Sequence, residues 1–323
     1  MKHKSAKAAL AAVLLWATSA LALPYSNLVV FGDSLADSGN NAVLVDAYYG
    51  GARSDGQTVG AGVPELPYDT NRYSNGPVWT EYFASRLGLS LTPSLQGGNN
   101  YAYGGARVAG ASPVPSLQAQ MEQYLSANSV SASTLYVIEG GGNDARDVLD
   151  LYVAGGDYAT RIQAYVQGLV SMIGMLAALG AEHFLVWNVT DLGLVPAVTA
   201  QGVGAAQGAS QLVAAMNQAL ALALATYLPP GVTDGLILFD AYAGLNDIVN
   251  NPAAYGLANA SDACAASLAC DPASHFFWEG IHPTTAGHQI MASLAVAAIP
   301  EPASLALLAV ALFGLAAGRQ RRA

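Results

Sequence analysis

Four short runs of uninterrupted apolar residues constrain the fold of this chain most: Leu28 to Phe31, Leu135 to Ile138, Phe184 to Trp187 and Leu236 to Phe239. A strand that is apolar on both faces has no side to give to water, so it must be covered above and below. Between the runs lie long helical patterns such as Arg161 to Leu179 and Gln211 to Tyr227, and Thr284 to Ala298 reads as a last helix. Strands alternating with helices of this length predict an α/β fold with a parallel sheet covered on both faces. No repeat or linker interrupts residues 23–299, and at 53% hydrophobic and 11% charged the chain can bury the core of one enzyme-sized domain there. Ligands gather at the carboxyl ends of the strands in such sheets. The residues that follow the runs are Gly32-Asp33-Ser34, Gly140 to Asp144, Asn188 onward and Asp240 onward, so Ser34 and Asn143 are expected to face one crevice. The Gly-, Pro- and Tyr-rich stretch 48–77 reads as a long loop.

The two ends have a different character. Residues 1–22 carry Lys2, Lys4 and Lys7, then an apolar run closing on Ala20-Leu21-Ala22, which predicts a signal peptide. At the other end, Pro300-Glu301-Pro302 precedes an apolar stretch from Ala303 to Gly318 and then Arg319, Arg321 and Arg322. That pattern predicts a membrane segment, slightly short of the ~20 residues usual for a spanning helix, with its cations on the cytoplasmic side. The body between the ends has six arginines, no lysine and 21 acidic residues, a net charge near −15. Such a body repels polyanions, which argues against nucleic-acid binding. Cys264 and Cys270 lie in a loop-like segment that export would place in an oxidising compartment, so a local disulfide is expected. No cluster of His or Cys supplies a metal site, and no other cofactor is implied.

Ser34 leaves a buried strand through Gly32 and Asp33, which places its hydroxyl at the top of the sheet near a helix start, where it could attack a carbonyl. A Ser or Asp at such a junction can equally be a helix N-cap. A nucleophilic serine needs a base, and the chain has five histidines. His3 falls in the signal peptide. His183 precedes an apolar strand and His275 lies in a loop without an acid just ahead, which suits structural roles; His288, at the start of the last helix, reads as a solvated or capping side chain. His282 follows Glu279 by three residues and precedes Pro283, so a tight loop can hold the carboxylate on one ring nitrogen while the other faces Ser34. An acid and His in this spacing can also be a surface salt link. For an oxyanion, Asn143 offers a side-chain amide and Gly105 a backbone N–H, although each Gly-rich block can be simply a turn.

Together these blocks resemble the GDSL family of lipases and esterases, also called SGNH hydrolases. The correspondence runs through Phe31 to Asn40, Tyr73 to Trp79, Asn100 to Ala106, Gly140 to Asp144 and Phe277 to Thr284. The resemblance implies a three-layer α/β/α sandwich with a five-stranded parallel sheet. It further implies Ser34 as nucleophile and first oxyanion donor, Gly105 and Asn143 as the other donors, and His282 as base. The family usually places Asp three residues before that His, and here the position is Glu279. Residues 300–323 resemble the PEP-CTERM sorting signal, read by an exosortase in bacteria with an outer membrane, which implies export and processing near Pro300-Glu301-Pro302. The expected substrates are small-molecule or lipid carboxylic esters. Acetyl groups on envelope or extracellular polysaccharide are an alternative, and an inactive surface-binding protein of the same fold is another.

Overall fold

The structure is a computed structural model; it describes residues 25–48, 50, 68, 70–110, 114–267 and 269–300. The expected signal peptide and sorting tail, and most of the loop 48–77, lie outside the described residues.

Each apolar run is a strand: β1 (Asn27–Phe31), β2 (Thr134–Ile138), β3 (His183–Trp187) and β4 (Leu236–Phe239). They form a parallel sheet in that order, in register Leu28↔Leu135, Tyr136↔Phe184 and Leu185↔Ile237. Leu28, Val30, Phe31 and Leu135 to Ile138 have no solvent exposure, as a sheet covered on both faces requires.

The longer helices are α1 (Asn40–Tyr48), α2 (Trp79–Leu87), α3 (Leu117–Ala127), α4 (Gly142–Val153), α5 (Tyr158–Ala178), α6 (Val203–Tyr227), α7 (Ala241–Asn250) and α8 (Thr285–Ala298). In α5 the buried stripe Tyr165, Leu169, Met172, Ile173 and Leu176 recurs every three or four residues, and Asp157 caps its start by accepting the Thr160 N–H. Helices α4, α5 and α6 pack on one another, and α2 packs on α8, giving the three-layer α/β/α arrangement. By length and composition α6 could cross a membrane, but its stripe Ala209, Val213, Met216, Leu220 and Leu224 is buried inside the domain.

Among the described residues the sheet has four strands rather than the expected five. The fifth position, beside β1, holds residues 99–103, which make two backbone bonds to β1, Val30 N–H to Asn99 O and Tyr101 N–H to Val30 O, and one just beyond it, Tyr103 N–H to Gly32 O. Polar side chains interrupt strand geometry there. The Asn100 amide donates to Ala36 O and Ser38 Oγ, while the Asn40 amide captures the carbonyls of Asn100 and Ala102. A second small sheet pairs β5 (Asn259–Ala263) with β6 (His275–Phe277) just ahead of the His282 loop, and a Cys264–Cys270 disulfide with Cα atoms 5.4 Å apart closes the turn after β5.

Candidate active site

The carboxyl ends of β1 and β2 and the 99–106 segment converge on Ser34. Its backbone is set by Asp33, whose carboxylate accepts the Leu35 N–H at 3.0 Å and whose carbonyl accepts the N–H groups of Ala36 and Asp37. Ser34 therefore sits on a tight turn and not at a helix start. Helix α1 begins six residues later, capped by the buried Asp37, which accepts the N–H groups of Gly39, Asn40 and Asn41 and also that of Gly104. The expected helix-dipole contribution at Ser34 is thus absent, and Asp37 instead ties α1 to the Gly104-Gly105 turn.

His282 reaches Ser34 from the opposite side of the sheet top. Its Nε2 lies 2.8 Å from Ser34 Oγ, and its Nδ1 lies 2.5 Å from Glu279 Oε1. The same Oε1 accepts the His282 backbone N–H at 2.6 Å, so one carboxylate oxygen fixes both the ring and the loop that carries it. The extra methylene of Glu relative to Asp is accommodated by a turn in which Trp278 N–H donates to His282 O. Burial pushes the Glu279 carboxyl up, but the hydrogen bonds and charge of His282 outweigh it and hold the group below the ordinary glutamate value. A carboxylate on Nδ1 fixes the tautomer in which Nε2 is free to accept a proton.

The block from Tyr73 to Trp79 clamps this loop. Ser74 Oγ donates to Pro283 O, Asn75 Oδ1 accepts the Thr285 N–H, and the Tyr73 ring lies 5.4 Å from the His282 ring. His288 belongs to the same clamp and, of the two roles the sequence suggested, it is not solvated but caps the first N–H of α2. It is fully buried and its Nδ1 accepts the Trp79 N–H at 3.1 Å; burial pushes its pKa down to about 3, so it is neutral. His275 bonds to Ser274 and to the Asp271 carbonyl, away from Ser34.

On the other side of Ser34, Gly105 occupies the left-handed region at φ +82°, where a side chain would be strained. The backbone N–H groups of Ser34 and Gly105 find no acceptor among the described residues. Asn143 is the second residue of α4; its Nδ2 donates to Ala106 O at 3.0 Å and lies 3.5 Å from Asp33 Oδ2, which places it beside both Gly105 and Ser34. The two segments are locked together. Asp144 accepts the Val108 N–H and pairs with Arg161, and Arg107 grips Asp147 through two bonds of 2.6 and 2.7 Å.

Sequence reasoning missed the buried polar layer beneath this site. Gln120 exchanges two 2.9 Å bonds with the backbone of Gly32, and Glu139 faces the Asp33 N–H. Burial raises the Asp33 carboxyl to about 6, and burial together with the Asp33 charge lifts Glu139 well above its ordinary value. Their partners lie 88 and 106 residues away, and no local pattern records such a pairing. The arrangement can deliver an activated hydroxyl to a carbonyl carbon, with N–H donors waiting on the opposite flank.

The sequence matches the family model described as GDSL-like Lipase/Acylhydrolase over residues 28–295, and the PEP-CTERM protein-sorting motif over residues 298–322. A GDSL esterase/lipase of Arabidopsis thaliana is 29% identical over 313 residues, covering 83% of this chain and 87% of its own. A phosphatidylcholine-sterol acyltransferase of Aeromonas hydrophila is 28% identical over 249 residues, covering 74% of this chain and 65% of its own. A solved structure of a member of the lipolytic protein G-D-S-L family from Veillonella parvula has 15% identity and a TM-score of 0.46, covering 84% of this chain and 96% of its own.

Proposed function

Because the chain belongs to the GDSL-like lipase/acylhydrolase family, we propose that it is an exported serine hydrolase that cleaves carboxylic esters through an acyl-enzyme. The observation that carries this reading is the chain of contacts from Ser34 Oγ to His282 Nε2 at 2.8 Å and from His282 Nδ1 to Glu279. Ser34 Oγ attacks the ester carbonyl while His282 Nε2 takes its proton. The carbonyl oxygen gains charge and is met by the N–H groups of Ser34 and Gly105 and the Asn143 amide, each donor contributing about 3 kcal/mol to the transition state. The imidazolium, held by Glu279, then returns the proton to the departing alkoxide, leaving the acyl group on Ser34. A water activated by the same His282 attacks the acyl-enzyme and releases the acid.

The turnover of p-nitrophenyl esters tests the assignment. Ser34→Ala should remove hydrolysis without lowering the melting temperature by more than a degree or two, and a folded variant that retains hydrolysis overturns the role of Ser34. The sorting motif over residues 298–322 supports delivery to the envelope of a bacterium with an outer membrane, with a processing enzyme acting near Pro300-Glu301-Pro302. Mass spectrometry of the native protein tests this, since intact residues 303–323 on a cytoplasmic species would contradict it.

A further inference from the structure

A groove of about 460 Å³ opens beside the catalytic loop, between α4 and the first turns of α6. Its apolar walls include Leu149, Val153, Val195, Val198 and Ile281. Ile281 immediately precedes His282, and the Ala197 N–H in the same wall donates to Gly280 O at 2.9 Å, so the wall is bonded directly to the loop that carries the base. At its other margin the groove meets Arg146, one turn along α4 from Asn143. The groove thus borders the loop that carries the base on one wall and the helix that carries Asn143 on the other. A second cavity, lined by Leu35, Phe239, Ile281 and Met291 among others, reaches the same loop but encloses about 30 Å³. That is room for a water or two and not for a hydrocarbon chain. The groove has the volume of a small-molecule site, roughly 300–1,000 Å³.

Resting on the esterase reading above, we propose that this groove is the acyl subsite and that it holds an unbranched fatty acyl chain of medium to long length. The direction follows from the helix. Asn143, the donor assigned to the carbonyl oxygen, stands in the first turn of α4, so the chain that continues from the carbonyl carbon runs along α4, while the leaving oxygen stays over His282 Nε2. From Arg146 to Val153 the helix rises about 10 Å, the span of a chain of roughly eight carbons. At the far end Tyr152 and Val153 are 52% and 83% exposed, offering apolar surface to a longer chain as it emerges. Arg146 and Asp150 also line the groove, and both are exposed, so their charged heads can remain in water while their stems cover the wall.

Gly204 and Gly208 of α6 border the same space, and a Cβ at either would meet nothing within 4 Å. Each costs a helix interior about 0.8–1 kcal/mol relative to Ala. No neighbour compels that cost, in contrast to Gly168, where a Cβ would lie 2.6 Å from Val108. Their effect is to keep the groove open, and they allow it to be filled without disturbing the fold.

The test compares the full chain with its Gly208→Phe and Gly208→Ala variants on p-nitrophenyl acetate and p-nitrophenyl dodecanoate. Gly208→Phe should lower kcat/KM for the dodecanoate at least tenfold and leave the acetate within twofold, while Gly208→Ala preserves both. An unchanged dodecanoate-to-acetate ratio in Gly208→Phe overturns the groove assignment. So does a parallel loss on both esters, because the substitution then acts on the catalytic loop and not on the chain. If the unmodified protein hydrolyses neither ester, the esterase reading itself fails and takes the groove with it, a result distinct from intact hydrolysis with unaltered selectivity.

Discussion

Glu279→Gln is the perturbation whose size the geometry fixes most closely. In the native site one oxygen of Glu279 holds both the ring Nδ1, at 2.5 Å, and the backbone N–H of His282, at 2.6 Å. When His282 takes the Ser34 proton, its charge centre lies roughly 4 Å from that of the carboxylate, an attraction of about 4 kcal/mol at the effective dielectric of a partly buried pair. Glu279 retains 28% side-chain exposure, so solvent screens part of this. A loss of about 10²–10³-fold in kcat follows from 3–4 kcal/mol. The amide adds a second fault, because its NH₂ can donate to Nδ1 and so drive the ring proton onto Nε2, where it blocks the base. Steady-state hydrolysis of p-nitrophenyl acetate measures the effect, with circular dichroism to establish that the variant is folded. A folded Glu279→Gln within tenfold of the parent kcat would refute the reasoning, and would mean that the Tyr73 to Trp79 clamp orients the ring unaided. Glu279→Asp keeps the charge but shortens the reach, so it should lose activity by about tenfold, less than the Gln variant.

Other consequences are open to direct measurement. Asn143→Ala should lower kcat by about 10²–10³-fold with a nearly unchanged KM, since a donor to the developing oxyanion acts in the transition state. Gly141 stands at φ +116° with a Cβ position 2.5 Å from the Tyr165 ring, so Gly141→Ala should destabilise by at least ~2 kcal/mol in chemical denaturation and displace Asn143 with it. Stability should rise as pH falls from 8 to 5.5. Asp33 and Asp37, each raised to about 6 chiefly by burial, and Glu139, raised well above its ordinary value, bind their protons more tightly when folded. Their stabilisation is therefore complete below the unfolded values near ~4 and is lost as pH climbs through the folded ones. His288, pushed down to about 3, opposes this between about 3 and 6.5, but it is one group against three. A melting temperature that falls over that interval, or that keeps its full slope in Glu139→Gln, would contradict the assignment. Reduction of the Cys264–Cys270 bridge, which closes a short loop, should cost about 2 kcal/mol and leave the Ser34–His282 distance unaffected, readable as a lowered melting temperature with kcat preserved.

The parts of the fold that were legible in the sequence are those governed by local pattern. Leu28 to Phe31, Leu135 to Ile138 and Phe184 to Trp187 read as buried strands and are, whereas Leu236 to Leu238 at the edge of the sheet are only half-buried; the alternation with helices such as α5 and α6 made the sheet parallel. The spacing of Glu279 and His282 identified the pair because three residues and a proline suffice to bring a carboxylate to Nδ1. What was hidden depends on partners distant in the chain. The block Asn100 to Ala106 reads as a donor loop or a turn, and bonds between the Asn40 and Asn100 side chains and backbone some 60 residues away explain why the fifth strand position holds an irregular segment. His288 looks polar among its threonines, yet a bond from the Trp79 N–H, 209 residues away, draws it into the core. The β5 strand, Asn-Ala-Ser-Asp-Ala, carries no apolar periodicity and pairs with β6. Ser34, leaving a buried strand through Gly32 and Asp33, is expected near a helix start, whereas the helix begins at Asn40 and its capping carboxylate is Asp37.

The central claim is that Ser34 is a nucleophile activated by His282, and one labelling experiment tests it most directly. The full chain is treated with a fluorophosphonate, its intact mass is recorded, and the modified peptide is mapped. A single adduct on Ser34, formed at a rate that falls by at least 10³-fold in folded His282→Ala, is the predicted result. An adduct on any other serine, or labelling of Ser34 at the same rate with and without His282, would contradict the account.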